Sequence, residues 1–133
     1  MAGYSGKSLA EKLGLKEGMR VYLKGEPKDY KSALGALGAS ATFYNSGTDF
    51  SLIHYFTQER SGLENNLPTL KERLTKDGSL WVSWPKGGSK KAGDLNENIV
   101  REIGLAHGLV DVKVIAVDET WSGLKFVYRL KDR

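Results

Sequence analysis

The sequence contains no cysteine among its 133 residues. The absence excludes disulfide bonds, thiolate catalysis and cysteine-ligated metal sites. Two histidines are present, His54 and His107, and neither has a close pair of carboxylates beside it in the sequence. The chain therefore predicts no metal site, because a metal ion needs several such ligands gathered together.

Long apolar runs are also missing, and none approaches the length that crosses a bilayer. The first eight residues lack the apolar core of a secretory signal. Both absences predict a cytoplasmic protein. Residues 1–7 hold two glycines and little to bury, so we expect a flexible N-terminus followed by a single domain at 8–133.

A strong charge of either sign is lacking, since 20 basic residues face 16 acidic ones and the net charge is +4. This excess is compatible with a small anionic ligand or a partner protein, but does not require one. Hydrophobic residues make up 40% and charged residues 27%, as is ordinary for a globular domain. The composition alone selects no function.

The most informative stretch that is present runs from residue 80 to residue 84. Its apolar side chains point to both faces, which is typical of a central strand covered on both sides. Such a strand would bury Trp81 and Trp84 on opposite faces. It would also deliver Lys86 to the carboxyl edge of a parallel sheet.

Strand-like and helix-like segments alternate along the chain, which predicts a three-layer, Rossmann-like α/β sheet, mostly parallel. The link 118–123 is short enough for a C-terminal antiparallel hairpin. The predicted strands cover residues 19–23, 41–44, 50–56, 80–84, 112–117 and 124–130.

Local patterns add finer expectations. Pro68 predicts a break in the helix after the third strand. Asp94 with Glu97 predicts a capping box, and residues 76–78 predict a turn. Strict alternation places Phe50 on the same face as the next alternate residues of its strand.

Four separated motifs resemble a small bacterial family known only as a domain of unknown function. They are YSGK at 4–7, LWVSWPK at 80–86, GLVD at 108–111 and DETWSGL at 118–124. The resemblance spans nearly the whole chain and implies membership of a family, without implying a reaction or a site.

The element order, the strand opening at 49–53, the turn at 76–78 and the final hairpin resemble a shortened S-adenosylmethionine-dependent methyltransferase. That resemblance implies the sheet order 2-1-3-4-6-5, with one strand missing after the second. Such enzymes usually carry a glycine-rich loop after the first strand and an acidic residue after the second. Here residues 24–27 supply one glycine, and Asn45 stands near the acidic position. S-adenosylmethionine is thus a possible cofactor, but none is expected.

Ligands of open α/β sheets bind at the carboxyl ends of the strands. The side chains predicted to gather there are Lys24, Gly25, Lys86, Asp118, Glu119 and Trp121. Lys86 would bind an anionic group, Trp121 would form an apolar wall, and the two carboxylates would orient polar groups. In the alternative interpretation, Asp118 bonds the backbone of a hairpin turn, Glu119 is solvated and Trp121 covers the end of the sheet.

Two further patterns favour structure over chemistry. His54 lies on an apolar strand face, where a core histidine with satisfied hydrogen bonds is the expected role. Ser83 and Lys86 have the S-x-x-K spacing of penicillin-recognising enzymes, but the partner motifs are absent and Pro85 intervenes.

The sequence thus predicts a ligand- or protein-binding, regulatory module that uses the carboxyl edge. A divergent methyltransferase or another transferase is the alternative. A third possibility is weak nucleic-acid binding through the basic loop 86–91, which predicts steep salt dependence.

Overall fold

The computed structural model describes residues 8–88 and 92–133. The predicted flexible segment 1–7 lies outside these ranges, as do Lys90 and Lys91 of the basic loop. The helices are α1 (Leu9–Leu13), α2 (Tyr30–Ser40), α3 (Arg60–Arg73) and α4 (Glu97–Ala106). The strands are β1 (Arg20–Lys24), β2 (Thr42–Tyr44), β3 (Phe50–Phe56), β4 (Leu74–Pro85), β5 (Leu109–Ala116) and β6 (Trp121–Tyr128). No helix in the described ranges combines the length and the apolar character that crossing a bilayer requires.

The six strands form one mixed sheet in the order β2-β1-β3-β4-β6-β5. The first four strands are parallel, and β6 runs antiparallel between β4 and β5. The register places Tyr22 beside Ile53 and His54 beside Trp81, so large side chains occupy the centre of the sheet. The predicted fold class and strand order are confirmed.

Each face of the sheet carries its own apolar core. Helices α1 and α2 cover the face on which Trp81 is buried, and α3 and α4 cover the face of Trp84. Trp81 and Trp84 lie in different cores because side chains alternate along a strand, so that residues an odd number of positions apart point to opposite faces. The indole nitrogen of Trp81 also donates a hydrogen bond to the carbonyl of Leu13, 3.0 Å away, and so attaches the end of α1 to the sheet.

The predicted helix break at Pro68 is wrong, because α3 continues through it. Proline removes the hydrogen bond to the carbonyl four residues earlier, at Glu64. Both residues lie on the exposed face of α3, where water can solvate that carbonyl, whereas Leu63 and Leu67 on the other face are buried. Burial of the apolar face therefore keeps the helix continuous.

Asp94 does not cap α4 with Glu97 as predicted. The N-cap is Asn96, whose side-chain oxygen accepts a hydrogen bond from the Ile99 amide at 2.9 Å. Asp94 instead accepts a hydrogen bond from the Arg60 amide at 2.7 Å, where its negative charge is favourable at the start of α3. It therefore joins the loop after β4 to the preceding helix.

The turn predicted at 76–78 lies inside β4 as an irregularity. Pairing advances from Leu74 to Ser79 on β4 while β3 advances only from Phe50 to Leu52. The shift breaks strict alternation, so Phe50 packs in the core under α3 and α4 while Leu52 packs in the opposite core. The prediction that they share a face is wrong for this reason.

The outer strand β5 contains a bulge at Val112. Asp111 pairs with Phe126 and Lys113 pairs with Lys125, so Val112 has no partner in the ladder and its surface is 52% exposed. The bulge places the two lysines directly opposite each other. The strand at the other edge, β2, has only three residues.

Candidate functional site

The four parallel strands end at one edge of the sheet, called here the carboxyl edge. The chain leaves β1 towards α2 and leaves β3 towards α3, and these helices cover opposite faces. Neighbouring strands whose connections diverge in this way form the crevice in which ligands bind in such sheets. The boundary between β1 and β3 is therefore the expected position of a ligand.

Gly25 narrows this crevice. Its φ angle is 75°, and a Cβ atom built on it would lie 2.5 Å from the carbonyl oxygen of Phe56. The preceding residue, Lys24, is half-buried and pairs with Tyr55 of β3. Lys24 and Gly25 thus border the crevice, and the backbone of Gly25 lies close to the Phe56 carbonyl at the end of β3.

Replacing Gly25 by alanine is expected to lower the free energy of unfolding by about 1–3 kcal/mol, because alanine disfavours positive φ and its Cβ would overlap the Phe56 carbonyl. Denaturant unfolding followed by circular dichroism measures the change. Gly87→Ala is the matched control, since no atom lies within 4 Å of a Cβ placed there. Equal stability of wild type and Gly25→Ala would contradict the close approach.

Lys86 and Asp118 meet where β4 and β6 end. The Lys86 ammonium donates a hydrogen bond to the Asp118 carbonyl at 2.7 Å, and the Lys86 amide donates to the Thr120 carbonyl at 2.7 Å. One carboxylate oxygen of Asp118 accepts hydrogen bonds from the amides of Thr120 and Trp121, at 2.8 and 2.7 Å. These contacts organise the turn between β5 and β6, with the Asp118 carboxylate bonded to the backbone.

Trp121 covers the ends of the neighbouring strands. Its side chain is buried and meets the Phe56 ring edge-to-face, with 5.1 Å between the ring centroids. Glu119 is exposed to solvent. The structure brings Lys86, Asp118 and Trp121 together and places Glu119 at the rim, while ligand binding by these residues stays a prediction.

A cleft of about 300 Å³ opens at the same edge, between the ends of β1 and β2. Its lining residues are Leu23, Glu26, Lys31, Phe43, Tyr44 and Asn45. Leu23 and Phe43 give it an apolar floor, while Glu26, Lys31 and Asn45 are exposed at its rim. The Lys31 ammonium lies 5.1 Å from the centre of the Phe43 ring, within cation–π range.

Most of these cleft residues were missed at the sequence level. Asn45 was noted as the residue after the second strand, but Glu26 and Lys31 belong to the loop and helix that follow the first. The apolar pattern of a strand does not show which polar residues of a neighbouring loop or helix lie beside the end of that strand. The one signal in the sequence is that an aromatic residue, Phe43, is followed two positions later by the polar Asn45, where the second strand ends.

A chain of polar side chains crosses the core below the carboxyl edge. The Tyr30 hydroxyl lies 2.6 Å from Nδ1 of His54, and Nε2 of His54 lies 2.7 Å from the Ser83 hydroxyl. Either tautomer of a neutral imidazole can satisfy both contacts, because each hydroxyl can donate or accept. His54 is therefore a core histidine with satisfied hydrogen bonds, as predicted.

Burial keeps this chain neutral. It lowers the pKa of His54 to about 3 and, with a smaller contribution from the charge of Glu26, raises the pKa of Tyr30. A serine oxygen beside a histidine nitrogen is the arrangement of an activated nucleophile. Ser83, however, is 0% exposed, so these three hydrogen-bonded side chains have a structural role in the core.

The remaining candidates of the sequence have structural contacts. His107 ends α4, and its carbonyl accepts a hydrogen bond from the Lys71 ammonium at 2.8 Å. Within the described residues, no group of three or more potential metal ligands is close enough to hold an ion. Nucleic-acid binding through loop 86–91 stays a prediction, since two of its three lysines lie outside those residues.

Comparison with solved structures finds the same architecture in other proteins. A S-adenosylmethionine-dependent methyltransferase from Aquifex aeolicus matches with a TM-score of 0.63 and 15% identity, covering 89% of this chain and 86% of that one. The fold is methyltransferase-like. A TehB-like S-adenosylmethionine-dependent methyltransferase from Corynebacterium glutamicum gives a TM-score of 0.58 at 14% identity, covering 91% and 85%.

Magnesium protoporphyrin IX methyltransferase from Synechocystis, with bound S-adenosylmethionine, gives 0.61 at 13% identity, covering 91% of this chain and 74% of that one. At these identities the similarity shows the fold alone. No family model matches the chain, so the resemblance to the bacterial family stays a prediction. No curated protein matches it either.

The carboxyl edge fits one part of S-adenosylmethionine better than the other. The cleft between β1 and β2 offers an apolar floor and a carboxylate rim, as a nucleoside needs. In the crevice between β1 and β3 the backbone of Gly25 lies too close to the Phe56 carbonyl for a Cβ atom, and Trp121 packs edge-to-face on the Phe56 ring at the strand ends. The residues therefore fit the adenosine part and leave less room for the methionine part.

Proposed function

We propose that this chain is a ligand-binding module that holds the nucleoside part of a small molecule in the cleft between β1 and β2. The observation that carries the proposal is the cleft itself, with an apolar floor and a carboxylate at the rim on the ligand-binding edge of the sheet. Its volume is at the lower end of the roughly 300–1,000 Å³ typical of small-molecule sites.

The chemistry of the lining supports a nucleoside. The half-buried Phe43 ring, over which the Lys31 ammonium lies, offers an apolar contact to a base, and the Glu26 carboxylate can accept hydrogen bonds from ribose hydroxyls. In dinucleotide-binding folds that task belongs to an acidic residue about 20 residues after the first glycine loop. Here Asn45 stands near that position, and Glu26 supplies the carboxylate from the loop after β1.

Binding is favoured over catalysis by the state of the rest of the edge. Trp121 is packed onto Phe56, and the Lys86 ammonium and one Asp118 carboxylate oxygen bond backbone groups. A reaction centre would need some of these groups to be free. Release of the Lys86 ammonium from the Asp118 carbonyl would provide the contact to an anionic group that the sequence predicts for Lys86.

Glu26→Gln is expected to weaken binding of a nucleoside ligand about ten- to hundredfold, because hydrogen bonds to a charged group contribute about 1.5–3 kcal/mol. Isothermal titration calorimetry with adenosine, S-adenosylhomocysteine and S-adenosylmethionine measures the affinities. Glu102→Gln, an exposed change on α4, is the matched control and should leave them unchanged. Absence of binding by all three compounds, or equal affinity in Glu26→Gln, would overturn the proposal.

A divergent methyltransferase is the second candidate, supported by the fold shared with enzymes such as the Synechocystis methyltransferase. A methyltransferase must hold the methionine part of its cofactor as well as the nucleoside. It should therefore bind S-adenosylhomocysteine more than about tenfold more tightly than adenosine. Similar affinities for the two compounds would favour the nucleoside-binding module.

A further inference from the structure

Two lysines lie directly opposite each other on the antiparallel strands β5 and β6. Lys113 is the cross-strand partner of Lys125. Like charges at directly opposed positions destabilise a strand pair. None of the ion pairs found in the described ranges includes either lysine. The local positive charge is therefore left without a carboxylate partner in that part of the chain.

A hollow of about 180 Å³ opens beside Lys125. Its lining includes Lys76, Asp77, Gly78, Ser79, Lys125 and Arg133. The cationic side chains of Lys125 and Arg133 thus line the hollow beside one carboxylate, and the Asp77 carboxylate already accepts a hydrogen bond from the Thr75 hydroxyl at 2.9 Å. The volume is below the range typical of sites for larger organic ligands, so the hollow suits a single small group.

Tyr128 holds one cation of the hollow in place through its backbone. The Arg133 guanidinium donates a hydrogen bond to the Tyr128 carbonyl at 2.9 Å. The Lys76 ammonium instead lies 4.4 Å from the centre of the Tyr128 ring, on the face of the sheet opposite to Lys125. Positively charged groups that are already positioned lose less conformational freedom when an anion binds. The Ser79 hydroxyl adds a neutral donor to the same lining.

We propose that this hollow binds a small phosphate-bearing anion, inorganic phosphate or a phosphate monoester, between Lys125 and Arg133. A dianion in contact with Lys125 would remove the repulsion that its cross-strand partner Lys113 imposes. The site lies at the start of β4, whereas the nucleoside cleft lies at the ends of β1 and β2. The two proposals are therefore independent.

The protonation behaviour of Lys125 is consistent with such a site. Burial, and then the charge of Lys113, lower the pKa of Lys125 below its ordinary value. An anion at Lys125 would oppose both effects and favour the charged form. Binding should weaken as salt is added, because the contacts are electrostatic and partly exposed.

The test is a titration of the full chain with inorganic phosphate at low ionic strength, by calorimetry and by ¹⁵N-resolved NMR. We expect saturable binding, shifts of the Gly78 and Ser79 amide signals, and a loss of affinity of about tenfold or more in Lys125→Gln. In phosphate-free buffer, Lys125→Gln should melt at or above the wild-type temperature, because the repulsion is relieved. Lys16→Gln, a change at an exposed lysine in the loop between α1 and β1, is the charge-matched control and should bind phosphate normally.

Three outcomes would overturn the proposal. The first is equal phosphate affinity in Lys125→Gln and wild type. The second is the same amide shifts with sodium chloride at matched ionic strength, which would be salt screening without a site. The third is displacement of phosphate by a single-stranded oligonucleotide that binds more tightly, which would assign the cations to a nucleic-acid backbone.

Discussion

Trp81→Ala is expected to lower the free energy of unfolding by about 3–5 kcal/mol, among the largest effects of any single substitution in this chain. Trp81 is 0% exposed, lies beside His54 in the strand ladder and fills the core under α1 and α2. Its loss leaves a cavity and also frees the carbonyl of Leu13 at the end of α1. Denaturant unfolding measures the difference, and a loss below about 1 kcal/mol would contradict the packing.

The hydrogen bond of Trp81 can be separated from its volume. Trp81→Phe and Trp84→Phe remove the same atoms from two buried sites on opposite faces of the sheet. Within the described residues, only the indole of Trp81 donates a hydrogen bond, to Leu13. Trp81→Phe should therefore cost about 1–3 kcal/mol more than Trp84→Phe, the cost of an unpaired buried carbonyl. Equal costs would show that this bond does not hold α1.

Lowering the pH from 7 to 5 should destabilise the protein by about 2 kcal/mol through His54 alone. The folded state holds the pKa of His54 at about 3, whereas an unfolded histidine has its ordinary value of 6.5. Between these values the unfolded chain binds a proton that the folded chain does not bind. The stability that the folded protein gains from keeping His54 neutral is therefore fully present above pH 6.5 and is lost progressively as the pH falls towards 3.

The control for this effect is the other histidine. His107→Gln removes the histidine at the end of α4 and leaves the buried contacts of His54 in place. His54→Gln should flatten it between pH 7 and 5, whatever its own cost in stability. If that variant does not fold, NMR titration of the wild-type imidazole replaces it. A His54 signal that titrates near pH 6 in the folded protein would refute the assignment.

The sheet could be predicted from the sequence because its signals are local. Two-sided apolar strands such as 80–84 indicate a parallel sheet, and the short link before β6 indicates an antiparallel end. The strand order followed from the resemblance to methyltransferases. Phe50 was misplaced because the irregular pairing that moves it depends on the start of β4, more than 20 residues later.

The site could be predicted only in part, since its contacts are long-range. His54 was identified as a core residue, but its partners Tyr30 and Ser83 are 24 and 29 residues away. Asp94 matched a local capping pattern and instead bonds Arg60, 34 residues earlier. The spacing of neighbouring residues does not show which distant residues bond each other. For the same reason the sequence did not indicate that Glu26 lies at the rim of the cleft.

The two outer strands have a consequence for how copies of this protein behave at high concentration. An exposed strand edge is a template on which another chain can add, and continued addition leads to aggregates. Here β2 offers only three residues, and the bulge at Val112 disrupts the regular ladder of β5. Deleting Val112 would restore a regular edge on β5, and so should increase the tendency of the chain to self-assemble through that strand.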